Sequence, residues 1–324
     1  MPKISLTIRV ASRDNFLQEH NIGSYFKCVV QCLNNQIFKD FELIYVDTYQ
    51  EENAEAFASI QKNFALKHVQ IHPGHRYWYD QGCGYMTAAT NTAIIHADGE
   101  LIVSLDDAEF FDKNLLLSYW NYYKQGSYLC ALHKRLRSIE TESGELKLPI
   151  KGDVYINDSR MKRIKNGKPL LHHDGKMLFA GKSFSLEDAL TLNGFNERMD
   201  GNCTLEDCEF GARLEMLGKK FALDPSAYVY ILDHRSYVYD PNARKIERPC
   251  YVENFGIMQA GIQLKEAVAN KLPITDRHLE IIRRETLKYR QFDILAPEHK
   301  PMLDIWMAVP NFDLREERKQ LRNK

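Results

Sequence analysis

Apolar and polar positions alternate along Ile4–Val10, a period of two that predicts a β-strand. After a polar loop, Phe26, Val29, Val30 and Leu33 recur at helical spacing and predict a helix over Tyr25–Leu33. Phe41–Val46 is a continuous β-forming run that ends in Asp47, and Glu55–Phe64 has a helical pattern. Val69–Ile71 predicts a short third strand, followed by a Gly- and aromatic-rich loop from His72 to Tyr85. Thr87–His96 is helical and leads into Leu101–Leu105, an apolar run that reads as a buried strand. Strand–helix alternation of this kind predicts a parallel sheet with helices on both faces.

The second half of the chain is less regular. Tyr128–His133 predicts another strand, and Lys147–Pro169, polar and basic with several Gly and Pro, predicts a loop. Ser185 is placed to cap a helix through Leu192, with Asp188 completing a capping box and Gly194 ending it. An amphipathic helix over Cys208–Leu217 is closed by Gly218, and Phe221–Leu232 holds two strand-like runs. Helical spacing returns over Ile257–Leu272, and Asp276 is expected to cap a helix through Tyr289. The charged end, LREERKQLRNK, is expected to fray.

Composition narrows the class. With 44% hydrophobic and 27% charged residues, the chain has the balance of a soluble globular protein. A formal net charge of −1 gives no bulk electrostatic case for a nucleic-acid partner. No apolar run suits a signal peptide or a membrane span, so a cytoplasmic location is expected. The seven cysteines include no CxxC pair, and all are read as reduced thiols.

The chemistry is concentrated in two acidic pairs. Leu101–Leu105 runs directly into Asp106 and Asp107, and adjacent carboxylates at the end of a buried strand repel each other and lose hydration. No basic residue accompanies them in sequence, and hard divalent cations suit such oxygen ligands. The plainer reading is a strand-to-helix turn whose carboxylate caps a helix beginning near Asp112. Glu206 and Asp207 open the predicted helix that ends at Gly218, where the dipole favours negative charge and where helix capping is again the plainer reading. His172-His173 and the pair His72 and His75 invite a metal reading, but consecutive histidines on an extended chain face opposite ways.

Two blocks, QIFKDFELIYVD followed by TNTAIIHADGELIVSLDDAEFF, resemble the nucleotide-binding half of the family 2 glycosyltransferases of GT-A fold. A third, NGFNE followed by EDCEFGARL, is similar to the acceptor-side motif of galactosyl- and N-acetylhexosaminyl-transferases, the bacterial chondroitin-polymerase type especially. The resemblance covers roughly residues 4–117 and resumes over 178–235. It implies an α/β GT-A (Rossmann-like) fold: a mixed, mostly parallel sheet flanked by helices, with a helical C-terminal extension. A catalytic domain would span 1–239, as a nucleotide-binding half (1–117) and an acceptor half (118–239). Residues 240–324 would form a loop and the helical extension. The implied activity is inverting, metal-dependent transfer of a hexose or N-acetylhexosamine from a nucleotide diphosphate sugar, UDP first, with Mn²⁺ or Mg²⁺. The acceptor would be a glycan or a lipid-linked hydroxyl in polysaccharide biosynthesis, with peripheral membrane contact as an option.

By the same resemblance Asp207 is the catalytic base, and Asp107 holds the metal with His234, which lies some two to three dozen residues beyond the base. Asp106 shares the metal or holds the ribose. The positions that touch the nucleotide sugar fall on Val10, Ser12, Asp47, Arg76, Asp106, Gly181 and Glu206, with Asp47 placed to pair with the nucleobase. The chain departs from the pattern at Arg9-Val10-Ala11-Ser12, where P-T-Y-N is usual, at Thr48, where a second aspartate is common, and at Ala108, which interrupts the acidic run. A sugar nucleotidyltransferase is one alternative, but it would need a Gly-rich loop after the first strand, and VASRDNF has none. A non-catalytic nucleotide-sugar-binding protein is another, and the joint presence of Asp106, Asp107, Asp207 and His234 argues against it.

Overall fold

The computed structural model describes residues 1–10, 25–47, 50–77, 86–106, 109–142, 145–179, 181–200, 205–232, 250–271, 273–300, 304, 307 and 311–323. In chain order the strands are β1 Ile4–Val10, β2 Phe41–Asp47, β3 Ala65–Val69, β4 Leu101–Asp106, β5 Glu109–Phe111, β6 Ser127–Leu129 and β7 Leu132–Ile139. They continue as β8 Thr141–Glu142, β9 Glu145–Leu146, β10 Gly152–Asn157, β11 Leu170–His172, β12 Lys182–Ser185, β13 Lys220–Leu223 and β14 Tyr228–Leu232. The helices are α1 Tyr25–Asn34, α2 Gln50–Ser59, α3 Met86–His96, α4 Leu115–Lys124, α5 Leu186–Thr191, α6 Glu206–Met216, α7 Cys250–Leu264, α8 Asp276–Arg290 and α9 Leu314–Arg322.

The central sheet has the order β12-β4-β1-β2-β3. Its first four sequential strands run parallel, and β12 joins the β4 edge antiparallel. Ile4, Leu6 and Ile8 point to one face of β1 and Ser5, Thr7 and Arg9 to the other, yet all six are buried because helices cover both faces. At about 1.5–3 kcal/mol per fully buried large apolar side chain, such positions dominate the gain on folding. A second sheet, β10-β7-β14-β5, and a third, β11-β13-β6, build the other half around the same core. A smaller apolar cluster of Met199, Ile257, Ala260, Ile281, Ile282 and Ile294 joins α7 and α8. No described helix is long and apolar enough to cross a membrane.

Asn91 on α3 couples the two sequence blocks. Its Nδ2 donates to the Phe195 carbonyl at 2.9 Å and its Oδ1 accepts the Phe195 N–H at 2.7 Å, as a paired backbone would. Gly194 sits at φ +70°, and a Cβ there would lie 2.2 Å from Asn91 Oδ1, so close approach and backbone conformation both require glycine.

Several expectations shift. The third strand is Ala65–Val69 rather than Val69–Ile71. It is the sheet edge, where Lys67 and His68 keep partial exposure, so its apolar signal is weak. The second helix spans Gln50–Ser59 instead of Glu55–Phe64, and the helix expected over Ile257–Leu272 runs from Cys250 to Leu264. The helix after β5 starts at Leu115, not near Asp112. Thr275, not Asp276, caps α8: its hydroxyl accepts the His278 N–H, and the His278 ring reaches back to Thr275 N. Ser185 does cap α5, but Asp188 is engaged by Tyr128 and Lys219 rather than closing the box.

The largest correction is the C-terminal end, which forms α9 and does not fray short of Arg322. Asp313 caps it, and Leu314 is fully buried in the main core. Arg318 Nη1 donates to the Ile95 carbonyl at 3.0 Å, and Arg322 reaches Ala97 O and Asp98, so cations meet the negative end of α3.

Candidate functional site

The parallel register brings the carboxyl ends of β1, β2 and β4 to one edge: Arg9 lies opposite Asp106, and Val10 opposite Asp47. Ligand crevices of open α/β sheets lie at this edge. Because β12 runs antiparallel to β4, its first residue, Lys182, arrives at the same end, opposite Ser104. The amino terminus of α6, bearing Glu206 and Asp207, closes the group.

Arg9 is nearly fully buried. Its Nε and Nη2 donate to Asp106 Oδ1 at 3.0 and 2.8 Å, and its Nη1 donates to Thr90 Oγ1 at 3.0 Å. Asp106 therefore has a basic partner, contrary to the expectation from sequence, which looked only at near neighbours along the chain. Burial alone would push the guanidinium down from its ordinary value, but Asp106, Asp207 and Glu206 outweigh it and raise it. Lys182, only 2% exposed, places Nζ 2.7 Å from Asp207 Oδ1, an ion pair without hydrogen-bond alignment.

The carboxylates exceed these two cations. Glu109 is buried: one oxygen accepts the Asp106 N–H at 3.1 Å and the other has no hydrogen-bond partner. Burial, then the Asp106 charge, pushes its pKa above the ordinary carboxylate range. Glu206 is raised by burial and then by Asp207, with Arg9 and Lys182 only partly offsetting both. Asp106, Glu109, Glu206 and Asp207 thus face two buried cations, so the edge favours further positive charge or a proton. Burial also pushes the thiols of Cys130 and Cys208 up to about 12, so neither is a ready thiolate.

Backbone strain helps aim this group. Leu205, just before α6, has φ 67° and ψ −1°, a left-handed conformation that costs a non-glycine residue about 1–2 kcal/mol. Its side chain packs on the α7–α8 apolar cluster, which holds it in place. Gly181 precedes Lys182 at φ +29°. A Cβ there would lie 2.9 Å from the Tyr119 hydroxyl, which donates to the Gly181 carbonyl.

Among the residues expected at the site, Asp106, Glu206, Asp207 and Gly181 come together at this edge. Asp47 ends β2 there, fully buried, with Oδ2 2.9 Å from His68 Nε2. Arg76 donates to Ile71 O at 2.9 Å and Gln70 Oε1 at 2.6 Å. Ser12, Asp107, His234 and the side chain of Val10 fall outside the described residues. For a divalent cation, the donor chemistry of the described carboxylates fits a hard ion, although Asp106 Oδ1 is engaged by Arg9.

Arg9, Lys182 and Glu109 are additions that sequence reasoning missed. The signal for Arg9 was present: it ends the alternating Ser5, Thr7, Arg9 face of a strand otherwise buried. His72, His75 and Glu317 bring one ligand atom each within 4.8 Å of one another. His75, however, lies between two carboxylates, with Glu197 2.7 Å from Nδ1 without hydrogen-bond alignment and Glu317 hydrogen-bonded to Nε2 at 2.9 Å, so the cluster reads as ion pairing around the ring. His172 Nδ1 accepts the Asp174 N–H at 3.2 Å.

No family model and no curated protein matches the chain. Solved structures do. The chain is similar to S. aureus TarS 1-349, with 14% identity and a TM-score of 0.50, over 93% of this chain and 77% of that one. The complex of TarS 1-349 with UDP-GlcNAc gives 16% identity and a TM-score of 0.50, covering 95% and 82%. The complex with UDP gives 14% and 0.50, covering 94% and 80%. At such identity the likeness establishes the fold: a mixed, mostly parallel sheet flanked by helices in the GT-A arrangement.

Proposed function

We propose that this chain is a glycosyltransferase that moves a hexose or N-acetylhexosamine from a UDP-sugar to a hydroxyl of a glycan or lipid-linked acceptor, with inversion. The observation that carries the reading is the convergence of Asp207, paired with Lys182, and Asp106, paired with Arg9, at the carboxyl edge of the central sheet. The TarS complexes with UDP-GlcNAc and UDP, on the same fold, support the choice of donor.

Transfer from a nucleotide diphosphate requires that charge on the leaving diphosphate be stabilised and that the acceptor hydroxyl lose its proton. Asp207 is the base: its carboxylate takes the acceptor proton as the oxygen attacks the anomeric carbon. Lys182 pairs with Asp207, and burial together with the Asp207 charge raises the pKa of Glu206 beside it. Arg9 holds Asp106 rigidly toward the donor side. Asp107 and His234, with Asp106, would hold Mn²⁺ or Mg²⁺, which when bound supplies Lewis-acid stabilisation of the diphosphate. Asp47, at the neighbouring strand end, would read the base.

A panel of UDP-, GDP- and dTDP-sugars incubated with the protein and manganese tests the reading. UDP release from a UDP-hexose or UDP-N-acetylhexosamine is the expected result. Turnover of none of the panel, or formation of a nucleotide sugar from a sugar phosphate and a nucleoside triphosphate, would overturn it.

A further inference from the structure

A cavity lies between the flank of α6 and the helices α7 and α8. Its volume is about 50 Å³, and it is partly open to solvent. Its chemistry is dominated by one residue. Arg198 is 6% exposed, lines the cavity, and has no hydrogen-bond partner at Nε. No carboxylate lies within ion-pair distance of its guanidinium among the described residues. Every other charge in the wall is paired. Glu209 clasps Arg213 through Nε and Nη2, both at 2.8 Å, and Glu266 sits 2.8 Å from His278 Nε2. Burial lowers the Arg198 guanidinium from its ordinary value, and Glu266 offsets this only in part.

A buried guanidinium without an anion is costly, and here its Nε donor has lost water without gaining a hydrogen bond. We propose that this cavity binds a small monoanionic carboxylate carrying an apolar body, with Arg198 as its anchor. The charge state follows from the wall: one unpaired cation balances one negative charge, while Glu209 and Glu266 nearby oppose a dianion such as phosphate. The apolar body follows from Ile257, Ile274 and Ile282, which line the rest. The fork of the guanidinium matches a carboxylate in two parallel hydrogen bonds. The site is distinct from the sheet-edge site and does not depend on its function.

The test is the thermal midpoint of the full chain against increasing butyrate, with butyramide as the uncharged control and inorganic phosphate as the anion without an apolar body. A saturable rise with butyrate, absent with butyramide and smaller with phosphate, is expected, since a ligand that binds only the folded state raises its stability. Arg198→Gln should weaken the apparent affinity by about tenfold or more, the range for hydrogen bonds to charged groups. A second variant leaves Arg198 in place. Gly261 lines the cavity, and a Cβ there meets nothing within 4 Å, so Gly261→Leu fills the space within α7 and should fold. It should abolish the butyrate effect. Saturating UDP should leave that effect unchanged. No saturable rise in the wild type, an equal rise with phosphate, displacement by UDP, or full retention in Gly261→Leu would each overturn the proposal. Retention in a folded Arg198→Gln would do the same.

Discussion

Lys182 Nζ lies 2.7 Å from Asp207 Oδ1, and the lysine is 2% exposed while the aspartate side chain keeps 15%. This pair ties the edge strand of the central sheet to the start of α6. Removing the lysine leaves Asp207 beside Glu206 with less compensation in a poorly solvated place. Lys182→Met should therefore lose about 3 kcal/mol of stability, at the lower end of the range for breaking a buried pair because Asp207 retains some water. Urea midpoints for variant and wild type measure this, and a loss below about 1 kcal/mol would mean that the pair is a surface-like contact.

The two strand-end aspartates should behave differently. Asp106 is bound to Arg9, so Asp106→Ala should cost stability by removing the hydrogen-bonded partner of a buried guanidinium and leaving only Asp207 and Glu206 to compensate it. Asp107→Ala should spare the fold and remove the manganese dependence of UDP binding. Calorimetry of UDP with and without manganese separates the two. Equal UDP affinity in both conditions for the wild type would remove the metal from the account.

Asp47 carries a conditional role. If it pairs with the uracil imide, Asp47→Ala should weaken donor binding by roughly 1.5–3 kcal/mol, the range for a hydrogen bond to a charged group. Its burial against His68 means that the fold should also lose stability, so binding is compared on protein well below its unfolding midpoint. An unchanged UDP dissociation constant would remove Asp47 from the donor site.

His75 should make stability fall as pH rises. Burial by itself would push its pKa down, but Glu197 and Glu317 outweigh burial and raise it from 6.5 to about 10. The folded state thus binds the proton more tightly than the unfolded chain. The stabilisation is complete below about pH 6.5 and is lost as pH rises toward about 10, with a slope of up to about 1.4 kcal/mol per pH unit. Urea unfolding across that window reads the slope, and His75→Gln should flatten it. An identical pH profile in the variant would assign the slope to other groups.

What was legible in the sequence follows from range. β1, β2 and β4 are long and buried on both faces, so their apolar runs identify them directly. The helix opened by Glu206 and Asp207 is marked by its periodicity and by Gly218 at φ +72°. Lys182 and Arg9 were not legible as partners of Asp207 and Asp106, because the pairing is set by strand order rather than by distance along the chain. An edge strand such as β3 hides for the opposite reason: partial exposure permits Lys67 and His68 in it. In α9 the charges that suggested fraying are the groups that dock it, with Glu317 on His75 and Arg318 on the end of α3.

The central claim is that Asp207 is the base, and its conservative amide variant tests it most directly. Asp207 is the second residue of α6 and no side chain caps that helix, so its structural role is the pair with Lys182. Asparagine keeps the shape and gives up the charge, so a purely structural role predicts lower stability for Asp207→Asn with turnover of the folded protein near normal. Removal of a general base predicts a fall in turnover of about 10²–10⁴-fold. The measurement is UDP release from the preferred UDP-sugar by variant and wild type, with UDP affinity determined in parallel to confirm an intact donor site. A loss of at least about a hundredfold with UDP binding retained is the predicted result. Retention of more than about a tenth of wild-type turnover would contradict the assignment.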